Sequence, residues 1–67
     1  MTYEDIRYDA AEGIATITLD RPDVYNAFTP ATIGELNDAI RRARSDEGVY
    51  VVVLTGAGDG FCSGADV

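Results

Sequence analysis

The part of this sequence best suited to chemistry is a glycine-rich segment at residues 56–67, GAGDGFCSGADV. Four of its first nine residues are glycine, and it follows a run of apolar residues typical of a buried strand. Glycine lets a backbone approach a ligand closely and reach φ values closed to other residues. In open α/β sheets, ligands bind beyond the carboxyl ends of the strands. The segment therefore stands where a binding loop is expected.

Three common glycine motifs do not fit this segment. The dinucleotide fingerprint G-x-G-x-x-G needs a glycine where Phe61 stands, and a phosphate-binding P-loop needs a lysine, which the chain lacks. The nucleophile elbow G-x-S-x-G is absent around Ser63, and the sequence has no histidine to activate a serine. The remaining interpretation is a loop that presents backbone N–H groups, which can stabilise an oxyanion during acyl chemistry.

Several side chains near these positions have structural explanations that compete with functional ones. Cys62 is interpreted as a small buried hydrophobe, because no basic residue stands near it in the sequence to favour a reactive thiolate. Asp66 is interpreted as a helix N-cap or a structural hydrogen-bond acceptor. Arg21 is expected to hold its own loop through an ion pair or a carbonyl oxygen. Tyr25 and Phe28 are expected to pack against apolar neighbours.

The elements that must position the glycine-rich segment begin with a predicted β-hairpin. Residues 6–8 and 14–19 have strand character, and residues 11–13 between them are typical of a turn. Gly13 can supply the positive φ that such a turn requires. Period-2 alternation places three residues on one face of the second strand: Ala15, Ile17 and Leu19.

An amphipathic helix is predicted after Pro22 interrupts the second strand. Thr29 stands where an N-cap is expected, Pro30 stands at the first helical position, and the pattern continues to about Arg44. Spacings of three, four and three predict one apolar face: Ile33, Leu36, Ile40 and Ala43. We expect the helix to pack on the sheet through this face.

The last predicted strand completes an α/β fold. Residues 49–54 form a continuous apolar run, which is typical of a parallel strand covered on both faces. The order β-β-α-β then predicts a right-handed crossover between the last two strands. A chain of 67 residues with one cysteine and no histidine has too little core, and no disulfide or zinc site, to cover that apolar surface. We therefore interpret it as part of a larger domain.

The charge of the chain excludes some partners. It has 12 acidic residues against 5 arginines, a net charge of -7, which argues against nucleic acid and anionic membrane surfaces. Two interpretations of the acidity remain, a solvated surface or adaptation to high salt. The sequence starts without the pattern of a signal peptide and has no apolar run of transmembrane length, so a cytoplasmic location is expected. The unpaired Cys62 fits a reducing compartment.

Two segments together resemble the enoyl-CoA hydratase/isomerase (crotonase) superfamily. Residues 21–28, RPDVYNAF, are similar to its R-P-x-x-x-N-A-[LF] segment. Residues 53–58, VLTGAG, and residues 61–67, FCSGADV, are similar to its V-L-T-G-x-G and F-[CS]-[AS]-G-[AG]-D-[LIV] segments, although the interval before Phe61 is shorter than the family often has. The resemblance covers essentially the whole chain. It implies that residues 1–67 are an incomplete, N-terminal β-β-α-β portion of a crotonase-like (ClpP/crotonase) spiral fold that binds acyl-CoA.

The resemblance implies an acyl-CoA site around both segments. The backbone N–H of Ala65 would be one of the two donors of an oxyanion hole for the thioester carbonyl oxygen, and Gly64 would allow the turn that aims it. The residues expected to contact the substrate are Val24, Tyr25, Ala27, Ser63, Gly64, Ala65, Asp66 and Val67. No metal and no covalently bound cofactor is implied, since coenzyme A is part of the substrate. A homo-oligomer, either a trimer or a hexamer, is implied for the longer protein.

Hydration of a 2-enoyl-CoA is the reaction that the resemblance first suggests. The two catalytic glutamates of the family's hydratases lie beyond the equivalent of Val67, so this chain alone is expected to be inactive. Isomerase, CoA hydrolase, decarboxylase and naphthoate synthase-like ring-closing branches share this half of the fold, but Ala65 in place of glycine favours the hydratase/isomerase branch over naphthoate synthase. The alternative outside the enzymes is a truncated fragment that serves as a structural or assembly piece. The glutamates of this chain match no catalytic motif position: Glu4, Glu12, Glu35 and Glu47.

Overall fold

The computed structural model describes residues 2–24 and 26–58. Its main elements are β1 (Ile6–Ala11), β2 (Ile14–Leu19), α1 (Pro30–Ser45) and β3 (Val51–Gly56), with a short 3-10 helix at Pro22–Val24. The sheet order is β1-β2-β3, with β1 antiparallel to β2 and β2 parallel to β3. The α/β class and the β-β-α-β order predicted from the sequence are confirmed.

The first strand is longer than the sequence pattern indicates. β1 continues through Asp9 and Ala10 to Ala11, which lies opposite Ile14 of β2. Aspartate and alanine have low strand propensity, so the pattern alone ended the strand at Tyr8. Hydrogen bonding to β2 carries the strand onward, because propensity is weaker than the pairing of a complete ladder.

The hairpin turn has positive φ at both of its central residues, Glu12 at 53° and Gly13 at 83°. This is the pattern of a type I′ turn, whose twist matches that of the flanking strands. A Cβ added at Gly13 would also lie 2.6 Å from Tyr50 Cδ2. The ring of Tyr50 is 85% exposed and can turn aside, so the positive φ is the main reason for glycine at this position, as the sequence predicts.

The core lies between the hairpin and α1. Ala15, Ile17 and Leu19 are all buried, as their predicted shared face requires. Ile6 and Ala39 complete the buried cluster around Ile17 and Leu19. Further hydrophobic side chains pack against it while partly exposed: Tyr3, Tyr8 and Leu36.

The helix begins with the predicted cap. Thr29 Oγ1 accepts a hydrogen bond from Thr32 N at 3.4 Å, and Thr29 N donates to Thr32 Oγ1 at 3.1 Å. Pro30 stands at the start of the helix, where its missing N–H costs nothing. The reciprocal pair is a capping box in which threonine takes the place of the usual glutamate or glutamine. No helix in the described ranges has the length and apolar character needed to cross a bilayer.

Thr29→Ala is expected to lower the free energy of unfolding by about 1 kcal/mol, because the Thr32 N–H loses its side-chain acceptor. Urea denaturation of the purified protein measures this directly. Thr29→Ser keeps the hydroxyl and should remain within about 0.5 kcal/mol of the original protein. Equal losses in the alanine and serine variants would contradict the capping role.

The buried face of α1 differs from the predicted one. Ala43 is buried and Leu36 is partly buried, as predicted, but Ile33 and Ile40 are 43% and 41% exposed. The buried residues of the helix are Thr32, Glu35, Ala39 and Ala43. Small side chains at 39 and 43 allow close approach to the sheet, and the two polar ones find partners in the N-terminal segment. The isoleucines are consequently displaced to the edge of the packed face.

The third strand begins two residues later than predicted, and its side chains are exposed to solvent. α1 packs mainly on β1 and β2, so it leaves β3 largely uncovered. The cover that the sequence predicts for both faces of this strand is therefore not supplied by residues 2–24 and 26–58. Four apolar residues of β3 are 40–52% exposed: Val51, Val52, Val53 and Leu54.

Candidate functional site

Two loops leave the sheet together at one edge. β2 and β3 are parallel, with Leu19 opposite Gly56, so the segments that follow them start side by side. We call residues 20–28 the first loop and the segment that starts at Ala57 the second loop. Ala57 N donates to Leu19 O at 2.8 Å, which extends the pairing one residue beyond β3. The two loops thus start at the carboxyl ends of adjacent parallel strands, the position at which the sequence predicts a binding loop.

Asn26 joins the two loops through its side chain, which is buried at 1% exposure. Its Oδ1 accepts a hydrogen bond from Arg21 N at 2.8 Å, and its Nδ2 donates to Ala57 O at 2.8 Å. Its own N–H donates to Arg21 O at 2.7 Å. The φ of Asn26 is 59°, in the left-handed region that asparagine tolerates better than most residues. One buried amide is therefore bonded to both loops.

Gly58 and Pro22 bring the two loops into direct contact. A Cβ added at Gly58 would lie 3.0 Å from Pro22 Cβ, and the φ of Gly58 is 82°. Both the space and the φ favour glycine at this position. The backbone of the second loop therefore runs directly against the first loop.

Arg21 holds the first loop from the side facing the N-terminal segment. Its Nη1 donates to Ala27 O, which ties the two ends of the loop together. Its Nε lies 4.0 Å from Asp5 Oδ1 in an ion pair between half-buried side chains. These contacts confirm the predicted loop-fixing role of Arg21.

A polar cluster behind the first loop fastens it to α1. Asp5 Oδ2 accepts a hydrogen bond from Thr32 Oγ1 at 2.6 Å, and Asp5 O accepts one from Asp20 N at 2.8 Å. Glu35 Oε1 accepts bonds from the backbone N–H groups of Glu4 and Asp5, each at 3.0 Å. Glu35 is 8% exposed, so its carboxylate is a structural acceptor inside the fold.

Tyr3 extends the attachment of the N-terminal segment along α1. Its hydroxyl donates to Asp38 Oδ2 at 2.8 Å. Partial burial and the neighbouring Asp38 carboxylate raise the pKa of Tyr3. The hydroxyl therefore stays protonated and remains a donor across the physiological pH range.

Two of the predicted contact residues lie in the described part of the chain, and both belong to the first loop. Val24 is 39% exposed and can present its side chain, whereas Ala27 is 9% exposed and its N–H donates to Val24 O. Ala27 O already accepts the bond from Arg21. The remaining predicted site residues lie outside the described residues, as does Cys62: Tyr25, Ser63, Gly64, Ala65, Asp66 and Val67. Their assignments stay predictions.

The sequence-based set of contact residues omits Asn26, whose side chain bonds to both loops. The amide is part of the quoted RPDVYNAF segment, but the sequence alone does not show that it points inward. The available signal was a lone asparagine next to alanine in a loop, a position that suits a left-handed residue. The described ranges hold no group of three or more acidic or cysteine side chains arranged to bind a metal ion.

Comparison with known proteins gives a consistent set of similarities. The model of the enoyl-CoA hydratase/isomerase family matches residues 9–67. A probable enoyl-CoA hydratase from Rhodobacter capsulatus is 51% identical over 67 residues, which are 100% of this chain and 25% of that protein. An enoyl-CoA hydratase/isomerase structure from Mycobacterium paratuberculosis has 46% identity and a TM-score of 0.94, covering 97% of this chain and 26% of that one.

A second solved structure gives the same result. The enoyl-CoA hydratase/isomerase from Xanthobacter autotrophicus has 45% identity and a TM-score of 0.94 over 97% of this chain and 24% of its own. The hairpin, α1 and β3 therefore match the crotonase-type fold of these proteins closely. The chain spans about a quarter of the length of the relatives it matches.

Proposed function

The chain belongs to the enoyl-CoA hydratase/isomerase family, and from this premise we propose that residues 1–67 are the N-terminal part of a domain that binds and hydrates a 2-enoyl-CoA. The length of the relatives supports the interpretation as part of a larger domain, since the chain spans about a quarter of their length. The open side chains of β3, at 40–52% exposure, are what we expect of a strand that the rest of a larger domain covers.

The observation that carries the proposal is that the Asn26 side chain hydrogen-bonds to both loops, to Arg21 N in the first and to Ala57 O in the second. A ligand at this edge of the sheet meets the first loop and the second loop at the same time. The CoA arm would lie against the first loop, around Val24, Tyr25 and Ala27. The thioester would lie against the second loop, which leads along the chain to Ala65.

Stabilisation of the thioester oxygen is the proposed contribution of this segment to catalysis. When water adds to the double bond of an enoyl thioester, hydroxyl goes to C3, a proton goes to C2, and negative charge develops on the thioester oxygen. A fixed N–H donor aimed at that oxygen lowers the barrier, because it needs no reorganisation as the charge appears. We assign one such donor to the Ala65 backbone, with Gly64 allowing the turn. The second donor and the acid–base carboxylates would come from the rest of the domain.

A backbone donor explains how a chemically inert side chain can take part in catalysis. Ser63, Asp66 and Val67 would then contact the thioester and pantetheine without forming bonds to the reacting carbon. Substitution of these side chains should cost far less than loss of the Ala65 N–H. This ordering separates the proposed mechanism from nucleophilic catalysis.

Ser63→Ala is expected to change kcat/KM by no more than about fivefold, the equivalent of about 1 kcal/mol for one hydrogen bond. Steady-state kinetics with a short 2-enoyl-CoA on the protein that contains this segment supplies the measurement. Complete loss of turnover in a folded Ser63→Ala protein would instead indicate a serine nucleophile.

The proposal is tested by assaying the intact protein with a 2-enoyl-CoA and following the loss of absorbance of its conjugated thioester. We expect turnover to the 3-hydroxyacyl-CoA and no turnover by residues 1–67 alone. The saturated acyl-CoA of the same length is the control, since it should bind without reacting. A folded intact protein that binds no acyl-CoA, or that transforms acyl-CoA only by another reaction, would overturn the assignment.

A further inference from the structure

We infer that Asn26 is a positioning residue for the proposed reaction, a role that rests on the proposed function and deepens it. Its buried amide sets the second loop, which leads to the proposed oxyanion donor, relative to the first loop, which is proposed to contact CoA. The group acts through Ala57 and Arg21 and has no need to touch the substrate.

The chemistry of the side chain matches its two partners. Arg21 N is a donor and requires an acceptor, whereas Ala57 O is an acceptor and requires a donor. A carboxamide is the small side chain that offers both, one at each end of the same planar group. An ionised aspartate at position 26 would offer acceptors only, and a leucine would offer neither.

The bond to Ala57 fixes the first peptide beyond β3. Ala57 N is bonded to Leu19 O, and Ala57 O is bonded to Asn26 Nδ2, each at 2.8 Å. Both polar groups of this residue are therefore held by the end of β2 or by the first loop. The contact of Gly58 with Pro22 adds a steric stop on the same path. The start of the second loop has little freedom to shift while Asn26 remains in place.

The bond to Arg21 fixes the other partner independently. Arg21 N donates to Asn26 Oδ1, while the Arg21 guanidinium is held by Ala27 O and Asp5. Loss of the Asn26 donor alone therefore leaves the first loop with its own supports. The two ends of the amide can be separated by experiment, because they serve different loops.

The expected consequence is a kinetic effect larger than the effect on CoA binding. A misplacement of about 1 Å at a reacting group can cost roughly 10²-fold in rate, even when it arises away from the chemistry. Free CoA has no thioester, so it makes no use of the oxyanion donor and would keep its contacts with the first loop. Disturbing only the link to Ala57 should therefore lower kcat and spare the affinity for free CoA.

The experiment compares Asn26→Asp with Asn37→Asp in the intact protein. Asn26→Asp keeps the shape and the acceptor for Arg21 N but removes the donor for Ala57 O. Asn37 is exposed on α1, so its substitution makes the same chemical change away from both loops. For Asn26→Asp we expect kcat to fall by about tenfold or more, and the Kd and stoichiometry for free CoA, from titration calorimetry, to stay within about threefold. Asn37→Asp should leave kcat, the Kd for free CoA and the stoichiometry unchanged.

The outcomes distinguish a positioning role of Asn26 from a role only in the stability of the folded protein. If kcat and the number of CoA sites fall by the same factor in Asn26→Asp, only folded protein has been lost and the inference is wrong. An original-level kcat in that variant also overturns it. If Asn26→Asp does not fold, Asn26→Gly replaces it, since glycine accepts a φ of 59° without adding charge. That variant should lower kcat and also weaken CoA binding, because both loops lose the amide, and unchanged values would refute the role.

Failure of the proposed function gives a different result. In that case the unsubstituted protein neither hydrates a 2-enoyl-CoA nor binds free CoA, whatever stands at position 26. An unsubstituted protein that does both, beside an Asn26→Asp protein with unaltered kcat, refutes only the positioning role.

Discussion

Ala65→Pro is expected to lower kcat for hydration of a 2-enoyl-CoA by roughly 10²–10³-fold, the usual effect of losing one oxyanion donor. Proline has no backbone N–H, so this substitution removes the proposed donor itself. The substrate's CoA arm keeps its contacts with the first loop, so KM should change much less than kcat. Steady-state kinetics on the intact protein measures both constants.

The control for Ala65→Pro must separate the lost donor from a change in loop geometry. Ala65→Gly removes the side chain but keeps the N–H, and it should retain kcat within about tenfold. Proline also restricts the residue before it, so an amide-to-ester replacement at position 65 is the sharper version of the test. The ester removes the N–H without a ring. Near-normal kcat in a folded proline or ester protein would contradict the assignment of Ala65.

Glu35→Ala is expected to lower the free energy of unfolding by about 2–4 kcal/mol, since hydrogen bonds to a charged group contribute roughly 1.5–3 kcal/mol each. Glu35 Oε1 accepts from Glu4 N and Asp5 N, and the side chain is 8% exposed. Truncation leaves both N–H groups without this acceptor. Water can replace part of the lost hydrogen bonding, because the N-terminal segment is near the surface. The midpoint of urea denaturation of the intact protein checks the loss.

Two control variants show how much of the loss in unfolding free energy of Glu35→Ala comes from its hydrogen bonds. Glu47→Ala removes an exposed glutamate beyond the end of α1 and should stay within about 0.5 kcal/mol of the original protein. Glu35→Gln keeps a carbonyl oxygen without the charge, and its stability should fall between the two. The folded Glu35→Ala protein should keep kcat within about tenfold, since the carboxylate lies behind the first loop and bonds to backbone. A large fall in kcat at unchanged stability would show that Glu35 takes part in the reaction.

The local features of the fold were predictable from the sequence because short-range rules determine them. The turn at Gly13, the alternation of Ala15, Ile17 and Leu19, and the cap at Thr29 each depend on residues close together in the chain. A parallel pairing of β2 with β3 also followed from the strand–helix–strand order. Tertiary partners were not needed for any of these predictions.

The orientation of α1 could not be predicted in the same way. A periodicity rule ranks Ile33 and Ile40 above Thr32 and Glu35, because it counts only hydrophobicity. In the structure the two polar residues are buried, since Asp5 and the backbone of the N-terminal segment supply their hydrogen bonds. Those partners stand about thirty residues away in the chain, so the helix sequence carries no sign of them.

The position of the second loop was predictable from the sequence, but the bond that connects it to the first loop was not. A glycine-rich segment after an apolar strand indicates a loop at the carboxyl end of a sheet, and the resemblance adds a role for that loop. Asn26 and Ala57 are 31 residues apart, and only the parallel pairing of β2 and β3 brings them together. The bridge between the two loops is therefore a property of the fold.

The measurement that tests the account most directly is a crystal structure of the intact protein with a non-reactive acyl-CoA analogue. We predict that the thioester oxygen lies about 2.7–3.1 Å from Ala65 N, the distance expected for an oxyanion-hole donor. The CoA arm should pass along the first loop beside Val24 and Ala27. An analogue bound away from these loops, or a thioester oxygen that receives no hydrogen bond from residue 65, would contradict the account.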